Sequence, residues 1–315
     1  MTKEMGTDFE LVKECLHELF IEPRRNLYKW SQITQQTLQV RLGYPGEHLA
    51  SVITGVAGAG TAARGDDLSD GTEVKSCSRA DQLDECEECG QGVLKWQEEC
   101  PECGSEDIEV KTDSHWIFSI TSEKEMNLYL DEVPRVLLIL FDRVDEGEDL
   151  RVRVWNVDTD QAYYRAFVRD YYENNYLVKK DRGKSPAPLN LHPEKYDFYM
   201  MEPELVFKAI MDIKEDEVSV KFWDLESPRR EKMPTEYVTL EQLRELFTEE
   251  ELRERIMELP QEERLEYLNS HDKSKVNKLQ KKDYLGLFPY IPEEKRGELT
   301  MKDKTLRSYN EEYSR

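Results

Sequence analysis

Two short cysteine motifs constrain this chain more than any other feature of its sequence. Cys86-Glu-Glu-Cys89-Gly and Cys100-Pro-Glu-Cys103-Gly are separated by GQGVLKWQEE, a segment of the right size for a short hairpin. Each C-x-x-C turn directs two thiolates at one tetrahedral ion, and the glycine after the second cysteine permits the turn. Four thiolates favour Zn²⁺ over Mg²⁺ or Ca²⁺ and leave no open coordination position. The spacing therefore predicts a zinc ribbon with a structural Zn²⁺; a redox dithiol pair is the alternative.

The composition indicates a folded, soluble protein. Of 315 residues, 38% are hydrophobic, and sixteen Tyr, ten Phe and five Trp can supply a sizeable core. No apolar run reaches the roughly 20 residues of a membrane span, and the opening MTKEMGTDFE has no apolar region typical of a secretory signal. We expect a cytoplasmic protein without a membrane partner, in which clustered cysteines bind metal rather than form disulfides.

The net charge limits the choice of partner. The formal value of −23 produces a field that repels phosphate at long range. A nucleic-acid partner therefore requires a local basic groove and a metal ion, which reverse the sign of the field where binding occurs.

Hydrophobic periodicity predicts an α/β core followed by a helical region. The predicted helices are 8–20 (behind an N-cap at Thr7), 25–41, 47–55, 161–172 and 203–211, and the predicted strands are 115–121, 135–141, 150–157 and 217–222. From Thr239 onward, capped amphipathic segments such as TEEELRERIMEL predict only helices. We place the domain boundary between 235 and 236.

A charged segment just before the cysteines, RGDDLSDGTEVKS, is typical of a tight hairpin. A two-residue Asp70-Gly71 loop would form a favoured type I′ turn. In that register Asp66 faces Lys75, and alternation puts Glu73 on the same face of the ribbon. A slip of one residue would replace Asp66 with Asp67 on that face. A solvated surface loop is the alternative interpretation.

Asp66 and Glu73-Val74-Lys75 have the residue types that phosphodiester cleavage requires. The reaction needs a metal to neutralise the phosphate and activate water, and a positive group near the attacking water. Two carboxylates on adjacent strands meet the first need, and a lysine two residues along meets the second. Val74 then points to the opposite, core-facing side. The segment therefore predicts a divalent-metal site for phosphodiester cleavage.

The same pattern resembles the Asp…Glu-x-Lys motif of the PD-(D/E)xK nuclease superfamily, without a proline before the aspartate. With the four-cysteine ribbon that follows, RGDDLSDGTEVKS is similar to the MamI-type family of type II restriction endonucleases, and the likeness is concentrated in residues 55–121. The resemblance implies a restriction-endonuclease-like α/β core with a mixed central sheet and an inserted zinc ribbon at 83–112. It also implies an Mg²⁺-dependent endodeoxyribonuclease that makes double-strand cuts at a specific sequence.

The resemblance assigns a role to each residue of the hairpin. Asp66 and Glu73 would bind Mg²⁺, and Lys75 would orient or deprotonate the attacking water. Asp70 is the alternative ligand if the loop is not a two-residue turn. The family often adds a glutamate from an upstream helix; Glu47 is the nearest candidate, and a solvated helix-start residue is the other interpretation of Glu47.

A basic segment beyond the predicted core strands is the candidate contact with double-stranded DNA. It contains Lys179, Lys180, Arg182 and Lys184, whose charges suit phosphate. A second basic stretch, 273–282, belongs to the helical region 236–315, which we expect to contact DNA or to mediate dimerisation. If the target is palindromic, a homodimer follows, because two-fold protein symmetry matches two-fold site symmetry.

Two other functions are compatible with the same residues. A DNA-repair or nicking endonuclease would use the same active site with different recognition elements. A non-catalytic zinc-ribbon protein would bind nucleic acid or partners, and its hairpin charges would only be solvated. Double-strand cleavage at one fixed sequence distinguishes the first alternative, and loss of cleavage in Lys75→Ala distinguishes the second.

Overall fold

The structure, a computed structural model, covers most of the first 231 residues. It describes residues 8–34, 36, 38, 40–60, 67–94, 97–111, 113–144 and 149–231. The predicted N-cap Thr7, the hairpin residue Asp66 and the whole predicted region 236–315 lie outside the described residues.

The helices of the described residues fall in three groups along the chain. They are α1 Phe9–Leu16, α2 Glu22–Thr34, α3 Gly43–Thr54, α4 Glu123–Asn127, α5 Ala162–Asp170, α6 Leu177–Asp181 and α7 Tyr196–Met200. Wider π-helical turns join α1 to α2, follow α4, and join α5 to α6. No helix among the described residues is long and apolar enough to cross a membrane.

The first helices begin and end at residues other than those predicted. The Asp8 side chain accepts from Glu10 N at 3.0 Å and caps α1. The helix predicted at 25–41 already ends at Thr34. The helix predicted to start at Glu47 starts at Gly43 instead; Pro45 is tolerated in its first turn, since no backbone N–H is required there.

A six-stranded mixed sheet forms the centre of the fold, which confirms the predicted class. The strands of the described residues are β1 Glu73–Ser78, β2 Asp84–Cys86, β3 Gly92–Val93, β4 Ile108–Glu109, β5 Trp116–Phe118, β6 Arg135–Arg143, β7 Leu150–Asp158, β8 Leu189–Leu191, β9 Glu204–Asp212, β10 Glu217–Trp223 and β11 Arg229–Arg230. The central sheet has the order β1-β6-β7-β9-β10, and β11 also pairs with β9. The edge strand β1 runs parallel to β6, whereas β6, β7, β9 and β10 pair antiparallel.

Each face of the sheet is covered by different elements. On one face α1 and α3 form the main core with the sheet, and buried members include Leu16, Leu49 and Ile139. On the opposite face the Trp116 and Phe198 rings stack with their centroids 5.7 Å apart, and both pack edge-on against Trp155. Alternation along β1 places Glu73 and Lys75 on this second face.

Most of the predicted strands are confirmed, but one predicted helix is wrong. The strands at 135–141, 150–157 and 217–222 appear as β6, β7 and β10, each one or two residues longer, and 115–121 shortens to β5. The segment 203–211, predicted as a helix, is β9. Its apolar residues Leu205, Val206 and Phe207 follow one another without a polar residue between them, so the sequence there has no two-residue alternation, although burial alternates from Phe207 to Asp212. Periodicity alone does not separate such a run from a buried helix.

Helix α3 approaches β1 very closely at Gly46. A Cβ atom built on Gly46 would lie 1.9 Å from Ser76 Oγ and 3.0 Å from Ser76 Cβ. The absence of a side chain at Gly46 therefore sets the distance between the helix and the edge strand. The neighbouring residue Glu47 is carried toward β1 by this contact.

We expect Gly46→Ala to lower the free energy of unfolding by about 1–3 kcal/mol, because the added methyl group overpacks the contact with Ser76. Chemical denaturation measures the change. The matched variant Ser76→Ala removes the nearer atom, so the double variant should recover part of the loss. A Gly46→Ala protein as stable as the wild type would contradict the close packing of α3 on β1.

Candidate active site and cysteine cluster

The turn that precedes β1 has three residues rather than the predicted two. Leu68 N donates to Thr72 O and Gly71 N donates to Leu68 O, each at 3.1 Å, so residues 69–71 form the loop. Gly71 has φ +91°, a left-handed conformation that favours glycine. The type I′ prediction is therefore wrong, and Leu68 rather than Ser69 lies opposite Thr72. The three-residue loop brings Asp67 toward Glu73, whereas Asp66 lies outside the described residues.

The segment that carries Asp67 is held by the glycine-rich connection before it. Ala59 N donates to Asp67 O at 3.0 Å, and Ser69 N donates to Ala57 O at 2.9 Å. Gly58 and Leu68 form an antiparallel bridge between these bonds. The glycine-rich residues thus position the acidic segment beside the edge strand.

Glu73 and Lys75 form an ion pair on β1. Lys75 Nζ donates to Glu73 Oε1, and the Glu73 and Lys75 side chains are only 9% and 20% exposed. Val74, between them, belongs to the core on the other face. Burial raises the pKa of the Glu73 carboxyl above its ordinary value, and the positive charge of Lys75 opposes that shift. The structure therefore brings together two of the residues predicted to act in catalysis.

Two further acids lie within electrostatic reach of this pair. Asp67 Oδ2 accepts from Val74 N at 2.7 Å, and the Asp67 charge contributes to the raised pKa of Glu73. Glu47, on α3, is half-buried; burial raises its pKa, the charge of Lys75 lowers it and that of Glu73 raises it. The site thus gathers three acids and one ammonium group from α3, the turn and β1. The predicted ligand Asp66 lies outside the described residues.

Asp70, the alternative metal ligand, is engaged in the turn. Its Oδ1 accepts from Thr72 N at 3.0 Å and its Oδ2 from Arg135 Nη2 at 2.8 Å. Burial alone would raise the pKa of Asp70, but the Thr72 hydrogen bonds and the Arg135 charge lower it below the ordinary value. Asp70 therefore stabilises the loop and anchors it to the start of β6.

An aromatic wall that the sequence did not reveal covers the ion pair. The Tyr129 hydroxyl donates to Glu73 Oε1 at 3.1 Å, across 56 residues of sequence. Lys75 Nζ lies 5.9 Å from the centroid of the Tyr129 ring and 6.0 Å from that of Phe118. Neither aromatic residue belongs to a short motif. From the sequence alone, each would be predicted only to pack in the hydrophobic core. A signal for them exists only once β5 and the turn after α4 are placed over β1.

The four cysteines of the predicted ribbon form one cluster, which confirms their grouping. All four sulfur atoms lie within 4.8 Å of one another, and the Cys86–Cys103 and Cys89–Cys100 sulfur pairs are each 3.6 Å apart. Tetrahedral Zn–S bonds of about 2.3 Å would separate the sulfurs by about 3.8 Å. Strands β3, β2 and β4 form a three-stranded sheet around the cluster. The module has the geometry of a site that holds a metal ion.

The predicted DNA-contacting segment is more helical than expected. Lys179 and Lys180 lie in α6, and the loop begins only after Asp181. Lys180, Arg182 and Lys184 are exposed, whereas Lys179 is half-buried. Lys180 Nζ lies 5.4 Å from the centroid of the Tyr176 ring. The segment presents three cations to solvent.

Comparison with known proteins identifies the family. A model of the MamI restriction endonuclease family matches residues 29–239, about two thirds of the chain. The chain therefore belongs to the MamI restriction endonuclease family. The type II restriction enzyme MamI of Microbacterium ammoniaphilum is 29% identical over 186 residues, which cover 58% of this chain and 53% of that enzyme. The match thus spans about half the length of that relative. No solved structure matches the chain.

Proposed function

We propose that the protein is a type II restriction endonuclease that makes Mg²⁺-dependent double-strand cuts in DNA at a specific sequence, as a homodimer where the target is palindromic. Membership of the MamI family supports the class of reaction. The observation that carries the proposal is the buried Glu73–Lys75 pair on the edge strand. Burying two charges costs several kcal/mol per ion, and apolar residues would often stabilise the fold as well. A catalytic role accounts for the pair better than a structural one.

The acids beside Lys75 suit Mg²⁺. They offer only carboxylate oxygens, and Mg²⁺ is usually bound by one or two carboxylates, several waters and the phosphates of the substrate. Among the described residues, only the four cysteines bring three or more donor atoms within 4.8 Å of one another. We therefore propose that two carboxylates bind Mg²⁺: that of Glu73 and that of either Asp67 or the predicted Asp66. Glu47 is a further acid close to them. Bound Mg²⁺ would neutralise phosphate charge and lower the pKa of a coordinated water.

The chain's own groups supply the remaining chemistry. The Lys75 ammonium can donate hydrogen bonds to the attacking water or to a non-bridging phosphate oxygen, where negative charge develops. Glu73 holds that ammonium in place through its own hydrogen bond. Val74 packs in the core on the other face of β1 and so fixes the part of the strand that carries Glu73 and Lys75.

We expect Lys75→Ala and Glu73→Gln to lower the rate of plasmid cleavage about 100-fold or more, because each removes a group that acts on the reacting phosphate. Asp67→Asn and Asp66→Asn form a matched pair. An asparagine at position 67 can still accept the hydrogen bond from Val74 N. Asp67→Asn therefore removes the negative charge of the side chain without removing the hydrogen bond that holds the turn. We expect Asp67→Asn to cause the larger loss.

Supercoiled plasmid distinguishes the possible outcomes, with circular dichroism as the control for folding. Linear product cut at one sequence supports the restriction enzyme, whereas open circles alone support a nicking or repair enzyme. A larger loss of cleavage rate in Asp66→Asn than in Asp67→Asn would indicate that Asp66 is the metal ligand. Wild-type cleavage by Lys75→Ala would reject this site.

We also propose that the exposed cations at the end of α6 contact the DNA backbone. The triple variant Lys180→Ala, Arg182→Ala, Lys184→Ala should weaken binding and reduce the slope of log K against log salt concentration by about 3, since each phosphate contact contributes about 0.9. Fluorescence anisotropy over a salt series measures the slope. The matched control removes three exposed lysines on other elements, Lys29, Lys195 and Lys221. Equal slopes in both variants would contradict a specific contact.

The cysteine cluster is proposed to hold one structural Zn²⁺, because four thiolates favour this ion and saturate it. We expect one zinc per chain by elemental analysis. Cys86→Ser with Cys103→Ser should lose the zinc and lower the melting temperature. Cys15→Ser is the control, since Cys15 lies outside the cluster and burial raises its pKa to about 11. Full zinc content in the double variant would contradict the assignment.

A further inference from the structure

Tyr129 contacts both members of the Glu73–Lys75 pair. It lies on the π-helical turn Leu128–Glu132 and is only 6% exposed. Its hydroxyl donates to Glu73 Oε1 at 3.1 Å, and its ring centroid lies 5.9 Å from Lys75 Nζ. One side chain therefore reaches the acid and the ammonium at the same time.

The hydroxyl contact restricts the Glu73 carboxylate. Tyr129 and Lys75 both donate to the same oxygen, Oε1. Because the two donors approach from different elements, rotation of the carboxylate would break both hydrogen bonds at once. Hydrogen bonds to a charged group are strong, and they are stronger in a buried site than in water. The carboxylate is thus held in one orientation.

The ring contact restricts the Lys75 ammonium. The Tyr129 and Phe118 rings pack edge to face, 5.5 Å apart, and Lys75 Nζ lies about 6 Å from each centroid. This distance is at the outer limit of a cation–π attraction, so the rings act mainly as walls. The Phe118 ring comes from β5, and the Tyr129 ring comes from the π-helical turn after α4. A flexible lysine chain is thereby confined beside Glu73.

We propose that Tyr129 is a positioning residue of the active site: its hydroxyl orients Glu73 toward the divalent cation, and its ring, with that of Phe118, confines the Lys75 ammonium. The inference rests on the proposed nuclease function and deepens it. Tyr129 does not touch the substrate in this assignment. It acts through the two residues that do.

Tyr129→Phe tests the hydroxyl, because it keeps the ring and removes only the hydrogen bond to Glu73. We expect kcat for plasmid cleavage to fall about tenfold, the order of one hydrogen bond to a charged group, with KM for DNA unchanged. The matched control is Tyr163→Phe, whose hydroxyl donates to Asp197 Oδ1 at 2.6 Å on other elements. The control should keep the wild-type kcat. Equal losses in the two variants would overturn the proposal.

Binding of Mn²⁺ alone provides a readout without cleavage. Free Mn²⁺ gives an electron paramagnetic resonance signal that broadens on binding, and Glu73→Gln defines the fraction that belongs to this site. We expect Tyr129→Phe to bind Mn²⁺ about tenfold more weakly at that site than the wild type or Tyr163→Phe. A purely structural tyrosine would lower the melting temperature without this change. Wild-type kcat and Mn²⁺ affinity in Tyr129→Phe would overturn the proposal.

Phe118→Leu is a second variant if Tyr129→Phe does not fold. It opens the other wall around Lys75 and keeps the hydrogen bond to Glu73, so we expect a lower kcat with unchanged Mn²⁺ affinity. A wild-type kcat in Phe118→Leu would contradict the confinement of Lys75.

Measurements on the wild-type chain distinguish a failure of the positioning role of Tyr129 from a failure of the proposed nuclease function. If it binds Mn²⁺ and cleaves DNA while both variants match it, only the positioning role fails; if it does neither, the proposed function fails as well.

Discussion

An ion pair buried at the edge of the sheet, Glu73 with Lys75, is the interaction on which the candidate site depends. Desolvation of two such charges is seldom repaid by their mutual attraction, so the surrounding groups have to satisfy them. The Tyr129 hydroxyl does so directly for Glu73. The cost is offset elsewhere, because β6 and β7 at the centre of the sheet are buried almost throughout. The stable sheet thus allows its edge strand to carry an unfavourable group of charges.

The topology explains how the aromatic wall and the cysteine cluster relate to that pair. Because β1 and β6 are parallel, the chain between them has to cross over a face of the sheet. This crossover contains the ribbon, then β5 with Phe118, then the turn with Tyr129. Trp116, on β5, fastens it to the sheet by donating from Nε1 to Ile139 O at 2.9 Å. A metal ion in the ribbon would therefore order the same connection that closes the site.

The sequence predicts local patterns well here and long-range geometry poorly. The cysteine spacing, the Glu73-x-Lys75 alternation and strands β6, β7 and β10 depend on neighbouring residues, and the structure contains all of them. The prediction for strand β9 fails because the consecutive apolar residues Leu205, Val206 and Phe207 hide the two-residue period that its burial follows from Phe207 onward. The turn fails because a left-handed Gly71 fits a three-residue loop as well as a two-residue one. Tyr129 is missed because its contact with Glu73 exists only after the crossover has folded.

The charges of the site bear on the contrast between a net charge of −23 and the proposed DNA substrate. Glu47, Asp67 and Glu73 carry three formal negative charges against the one positive charge of Lys75, so the site itself repels phosphate. A bound divalent cation would compensate the remaining two charges. If the cation and a phosphate share the site, each must raise the affinity for the other by the same factor, because binding linkage is reciprocal. Under the proposed function, an acidic chain of this kind would engage DNA at the candidate site only together with a divalent cation, and the overall negative charge would restrict non-specific binding elsewhere.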